Sequence, residues 1–413
     1  MSLNRNFWLF AVGRFVSQLG WAVQDVALPL YVLDQTHSGS MMTAFILAEI
    51  IPSLIIMPFA GVVGDRYNRK WLMVGFDLAR GIILFGVIAF DLLGIYQLLA
   101  VQIVMAVLGS FFSAGTGAMF PDLVEPDELE KANSTVSSFT ILARLVGPAL
   151  GGLIYGIGGI KLAILINAVS FFGSGLFEML IRYEWKAKPI EGIGQVFSDI
   201  KEGVRFIFGH HYLRTLMTFA IFLGIFSAPF GAVLLPYVMR EVLKFTSLQF
   251  GLMESFFMGG ALLGNVLIAV KFGKKAGKFL FRAMVLDGMM TIAFIWVISP
   301  VSSLDRNAAF FFLGAVAVIW GVTETFIDIP IQSKLQRAVP SEVRGRVFSA
   351  LGILTRIATP AGLVLVGPLL NLYPAWLVAL GLWIGMGAVA LYYWLRYREI
   401  LLMDVQAEEE LEE

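Results

Sequence analysis

Five ionisable residues stand deep inside long apolar runs: Asp25, Glu49, Arg144, Glu254 and Arg356. A charge in hydrocarbon costs about 2.5–3.5 kcal/mol on insertion scales, so each is a functional candidate by default. Desolvation favours the neutral form of a carboxyl, which lets Asp25, Glu49 and Glu254 load and release a proton near neutral pH. Arg144 and Arg356 supply what such chemistry also needs, a positive group that displaces the proton. A bland reading stands beside this one: permanent structural ion pairs. Other charges invite less. Asp77, Arg80, Glu324 and Asp328 stand near helix ends and are expected to reach water. Arg14 is expected to snorkel to the interface. Asp287 is expected to be structural.

A second cluster lies in the stretch GVVGDRYNRK, residues 61–70, which packs Asp65, Arg66, Arg69 and Lys70 into a short break between apolar runs. Basic residues alone would serve as a topology anchor, but that does not explain the acid among them. A latch does: Gly61 and Gly64 admit a close neighbour, Asp65 meets a helix N-terminus, and the basic residues pair with Asp122. A third stretch, GPALGG at 147–152, sets Gly147, Pro148, Gly151 and Gly152 on one helix. Small residues permit close packing and the proline removes a backbone donor, so the expectation is a slightly bent, moving seam.

The elements that must position these residues are legible from composition. Of 413 residues 58% are hydrophobic and only 15% charged, where soluble domains are about half apolar and a quarter charged. A bilayer core takes about 20 mostly apolar residues per helix. Twelve segments qualify: 8–33, 41–64, 71–93, 96–118, 134–158, 161–181, 213–238, 247–270, 279–298, 307–329, 347–371 and 375–396. The predicted class is therefore an all-α membrane protein with twelve transmembrane helices in two pseudo-symmetric six-helix bundles. The divisions are a first bundle at 1–182, a linker at 183–212, a second bundle at 213–400 and an acidic tail at 401–413. Of 30 Lys and Arg, 22 fall in loops or adjoining segment ends on the side of the termini and 4 on the other side. The positive-inside rule then puts both termini in the cytoplasm. The bundles repeat: RLVGPA at 144–149 returns as RIATPA at 356–361, six segments later, as parallel repeats do. Within the linker, Ile193, Val196, Phe197, Ile200, Val204 and Ile207 share one helical face, as in a helix lying on the membrane surface.

Composition also narrows the activity. There is no cysteine, hence no disulfide, thiolate metal site or Cys nucleophile. The histidines, His37, His210 and His211, fall in polar breaks without an acidic partner at motif spacing, which weighs against a membrane enzyme and against a metal site. The formal net charge is zero, so no nucleic acid is implied. No Gly-x-x-x-x-Gly-Lys-Ser/Thr loop is present, so no nucleotide drives the protein. Two repeats with mid-helix Pro and Gly favour rocking over a fixed pore. Abundant Met and Phe in segments seven and eight suit varied amphipathic ligands, though lipid-facing helices have the same content.

Gly61-x-x-x-Asp65-Arg66-x-x-Arg69-Lys70 between segments two and three resembles the signature loop of the major facilitator superfamily. DIKEGVRFIF before segment seven, VPSEVRGRVFS before segment eleven, and GPALGG in segment five resemble the macrolide-efflux and siderophore-exporter branch of its drug:proton antiporters. KFGKKAGKF, the second-half counterpart of the first loop, lacks the acid. The resemblance implies a secondary transporter in the inner membrane, using the proton gradient and no cofactor, that exports hydrophobic or amphipathic molecules by alternating access. A lipid or lysolipid flippase on the same fold is the alternative. It also implies that segment one, with Asp25, lines a central cavity, and that segments five and eight and segments two and eleven are neighbours. Arg144 is then expected to pair with Glu254, and Arg356 with Glu49.

Overall fold

The computed structural model describes residues 3–185, 193–340 and 343–402. The acidic run at 403–413, and Ser341 and Glu342 of the VPSEVRGRVFS stretch, lie outside the described residues.

Among the described residues the secondary structure is helical. In order, the helices are α1 (Arg5–Thr36), α2 (Gly39–Arg66), α3 (Arg69–Ala89), α4 (Ile95–Met119), α5 (Leu129–Met179), α6 (Ile193–Gly209), α7 (His211–Pro229), α8 (Ser247–Leu267), α9 (Leu280–Ile298), α10 (Arg306–Ala338), α11 (Arg344–Leu372) and α12 (Ala375–Leu402). Predicted segments five and six are joined in α5. They are separated there by Gly159, whose φ of 61° and ψ of −160° no helix holds and which glycine tolerates for want of a Cβ. Beyond Pro229, α7 runs on through two stretches of wider turns to Val242, the local adjustment that follows a lost backbone donor.

Among the described residues ten helical runs are long and apolar enough to cross a membrane, the α5 run among them. At 32 residues α1 has the length but not the apolarity, because Arg14, Gln18, Gln24 and Asp25 interrupt it. These polar groups have work inside the protein. Gln24 accepts from Asn167 at 2.7 Å, and Gly20 sits where a Cβ would meet Cβ of Ser170 at 2.6 Å. The start of α1 is tied down by Asn4, which accepts from the Phe7 amide at 2.9 Å and donates to the Leu123 carbonyl at 2.7 Å. Asp305 caps α10 likewise, accepting from the Ala308 amide at 2.8 Å. Such caps satisfy donors that a helix start leaves open.

Two compact units result. Unit 1 comprises Met1–His37, Ala44–Val196 and Phe245–Ser255; unit 2 comprises Ser38–Thr43, Phe197–Lys244 and Phe256–Glu413. Each therefore includes the opening stretch of a helix that otherwise belongs to the other. In unit 1, α1 packs along α5, and the first turns of α8 join them. In unit 2, the first residues of α2 are held by α11. Asn371 accepts from the Gly39 amide at 2.9 Å and donates to Ser40 Oγ at 2.9 Å. A Cβ on Gly39 would meet the Gly367 carbonyl oxygen at 2.9 Å. The rest of α8 lies against α10, where Thr325 donates to the Ala261 carbonyl at 3.2 Å.

The linker helix α6 departs from the surface-lying expectation. Phe197 is exposed, but Gly203 and Ile207 are buried. Ile207 joins the unit 2 core with Leu216, Val347 and Leu351. Gly203 lets the helix approach α11 so closely that a Cβ would meet Cβ of Ala350 at 2.9 Å. Arg346 adds ion pairs to Glu202 at 2.7 Å and Asp199 at 3.5 Å. The later half of the helix spends its apolar stripe on protein.

Candidate functional site

Three carboxyls that the sequence places within the membrane-spanning segments come together in unit 1. Asp25 on α1 lies within electrostatic reach of Glu49 on α2 and of Glu254 on α8. All three side chains keep exposed surface although protein surrounds them. Glu49 has a fixed partner: the nearly buried Gln102 of α4 donates to its Oε2 at 3.2 Å. Periodicity gave no sign of Gln102, since a single amide on an apolar helix reads as neutral.

Arg144 is placed differently from the expected pair with Glu254. Arg144 on α5 is exposed and is not ion-paired to Glu254 in this conformation. Depth along a helix follows from counting residues, but rotation does not, and rotation decides which side chains meet. Arg356 is exposed on α11 within unit 2.

The GPALGG stretch is a double seam inside unit 1. Gly147 and Gly151 face α1: a Cβ on Gly147 would lie 2.5 Å from Cβ of Ala22, and one on Gly151 2.9 Å from Cβ of Val26. Gly152 faces the first turn of α8, where a Cβ would strike the Ser247 carbonyl oxygen. Reciprocally, a Cβ on Gly251 would run into the Pro148 carbonyl, whose carbon is 2.9 Å away. Backbones in such contact exclude any side chain between them. This is where α8 is brought into unit 1, and with it Glu254.

At the latch loop the structure resolves part of the expectation. Arg69 Nη1 donates to Asp122 Oδ2 at 3.0 Å, with Arg69 buried and Asp122 half exposed. Tyr183 donates its hydroxyl to the same carboxylate oxygen at 2.8 Å. Burial, and then this bond, push the Tyr183 phenol above its ordinary value, so it remains a donor. Arg66 is exposed, and Lys70 lies 5.0 Å from the Trp71 ring centroid. The Asp65 side chain lies outside the described residues. The close approach expected at Gly61 is not there: a Cβ on it would meet nothing within 4 Å. It occurs one turn later, where a Cβ on Gly64 would stand 3.4 Å from the Ala114 backbone. Gly61 is on the exposed side of α2, Gly64 on the side facing α4.

Three charges expected to reach water do not. Asp77 and Arg80 are buried and paired with each other, and Arg14 is largely enclosed. They face inward because α1, α3 and the second half of α5 enclose a polar interior, to which Glu178 also contributes. Glu178 stands at the very end of its segment, where sequence alone reads a carboxyl as interfacial.

Comparisons agree with this architecture. The sequence pattern of the Major Facilitator Superfamily matches residues 10–363. Macrolide efflux protein A of Streptococcus pyogenes is 23% identical over 363 residues, which cover 87% of this chain and 88% of that one. The multidrug efflux pump Tap of Mycolicibacterium fortuitum is 30% identical over 373 residues, 85% of each chain. The crystal structure of the nucleoside transporter NupG superposes with a TM-score of 0.73 at 12% identity, covering 94% of this chain and 98% of that one. With the helical membrane fold, the signature loop and a family pattern that spans most of its length, this chain belongs to the Major Facilitator Superfamily and is a multi-pass membrane transporter rather than an enzyme.

Proposed function

We propose that this transporter exports hydrophobic or amphipathic small molecules of drug-like character in exchange for protons. It would do so by alternating access in the cytoplasmic membrane, with both termini on the cytoplasmic side. The observation that carries the reading is the meeting of Asp25, Glu49 and Glu254 around accessible space within an apolar protein. Three like charges so placed cannot all ionise freely. A proton, or the cationic part of a substrate, relieves the repulsion, and that exchange is what an antiporter needs. The relatives named for macrolide and multidrug efflux support the substrate class. Arg69 with Asp122, and Asp65 in the same loop, serve in this reading as the latch that favours one access state.

The test is transport of a panel of fluorescent amphiphiles in proteoliposomes, with and without an imposed pH gradient. Gradient-driven accumulation that collapses with a protonophore is the expected result. Flux indifferent to the gradient would sink proton coupling and favour a lipid or lysolipid flippase, which labelled lysolipids in the same vesicles would reveal.

A further inference from the structure

Unit 1 holds a second set of ionisable groups, this one largely enclosed by protein. Asp77 and Arg80 come from α3, Ser174 and Glu178 from the second half of α5, and Arg14 from α1. Asp77 is 0% exposed, Ser174 0% and Glu178 1%. Arg80 is held on several sides. It is ion-paired to Asp77 Oδ1, its Nε donates to the Phe76 carbonyl at 3.4 Å, and its guanidinium carbon lies 4.3 Å from the ring centroids of both Phe112 and Phe171. Ser174 has a single hydroxyl proton and gives it to Glu178 Oε1 at 3.3 Å. Three buried atoms are left with no hydrogen-bond partner: Asp77 Oδ2, Glu178 Oε2 and Arg14 Nε. Glu178 is within electrostatic reach of Asp77, Arg80 and Arg14. From α4 come the Phe112 ring and, at Gly109, no side chain at all.

Two ionised carboxyls are acceptors only and cannot satisfy one another. Buried acceptors without donors are costly, and a carboxylate without a bonded cation costs more. One proton removes both defects. Placed on Glu178 Oε2 it creates an O–H donor, and Asp77 Oδ2 is the vacant acceptor. Asp77 is the poorer carrier because Arg80 already holds it as a carboxylate. When the proton leaves, Glu178 becomes charged, and the unused Nε–H of Arg14 is the partner at hand. A permanent Arg14–Glu178 pair would not leave both of those atoms unbonded.

We propose that Asp77 and Glu178 form a proton-binding site, separate from the Asp25 carboxyls, that holds one proton between them, and that Arg14 takes over Glu178 when the proton departs. Asp25 and Arg14 share α1, eleven residues apart, or about 16 Å at the helical rise. A change of partner at Arg14 therefore bears on the helix that carries Asp25. The site does not depend on what the transporter carries.

Infrared spectroscopy of the purified protein in lipid tests it, reading the carbonyl band of protonated carboxyls and its shift on exchange into D2O. At neutral pH the wild type should show such a band that Glu178→Gln removes and Asp25→Asn leaves in place. A carboxylic-acid region unchanged by Glu178→Gln overturns the proposal. Arg14→Met provides the second arm: without the cation that receives the carboxylate, the same band should persist to higher pH. A titration identical to wild type would refute the exchange of partners even if the Gln variant misfolds.

Discussion

Arg69 and Asp122 are joined at 3.0 Å, yet they occupy different surroundings: the arginine side chain keeps 7% of its surface and the aspartate 47%. Breaking the pair is therefore not symmetric. Removing Asp122 takes the carboxylate from a buried guanidinium, and a buried charge is costly to leave without its counter-charge. Removing Arg69 leaves a carboxylate that water and the Tyr183 hydroxyl still serve.

Asp122→Ala should accordingly lower the thermal midpoint in detergent clearly more than Arg69→Met does. Equal losses, or the reverse order, would mean that the other contacts of the arginine make up for the lost carboxylate.

The glycines supply a contrast of backbone contacts. Gly152→Ala drives a methyl group into the Ser247 carbonyl and should part α5 from α8, with a loss at the upper end of overpacking effects, about 3 kcal/mol. Gly61→Ala meets nothing within 4 Å and gains helix propensity, so it should be neutral or stabilising by up to about 1 kcal/mol. Thermal stability and transport of the two variants decide the matter. A transport-dead, well-folded Gly61→Ala would restore the close approach at that position.

Asp25 is the central member of its carboxyl group, within reach of both Glu49 and Glu254. Asp25→Asn should abolish gradient-driven export while equilibrium binding of substrate persists. Persistent pH-driven export in that variant would move the coupling to Glu49 or Glu254.

Docking of α6 on α11 tests packing against charge. The partners of Arg346 are partly exposed, and pairs of that kind contribute about 0–1 kcal/mol. Gly203→Val must instead displace the helix from Ala350 and the Arg346 backbone. Arg346→Ala should leave stability nearly unchanged, whereas Gly203→Val should lower it. A larger loss from the arginine would show that charge fastens the linker.

What the sequence disclosed follows from what one dimension carries. Apolar run length located the helices, since the bilayer demands about 20 residues from each. Counting from helix starts gave Glu49 and Glu254 comparable depth, with Asp25 nearer the outer side, and the acid after α4 identified Asp122 as a partner for the basic loop. Rotation about the helix axis is a tertiary property. It turned Gly64 rather than Gly61 toward α4, left Arg144 unpaired to Glu254, and drew Asp77, Arg80 and Arg14 inward. Glu178 escaped notice for a related reason. Its place at a segment end suggests water, and only the crossing of α1 and α3 over it takes water away. The break between segments five and six was legible at 159–160, and Gly159 is where the helix is interrupted.

The anchoring of Gly39 and Ser40 by Asn371 has a consequence in time. The chain grows from its N-terminus at about 5–20 residues per second. The start of α2 thus waits for a partner made more than 300 residues later, on the order of twenty seconds to a minute. Until α11 is synthesised and inserted, the first helices stand in the membrane with one end unmoored. Their final arrangement is a post-translational event, and the newborn first half is a client for whatever holds unfinished helices in the bilayer.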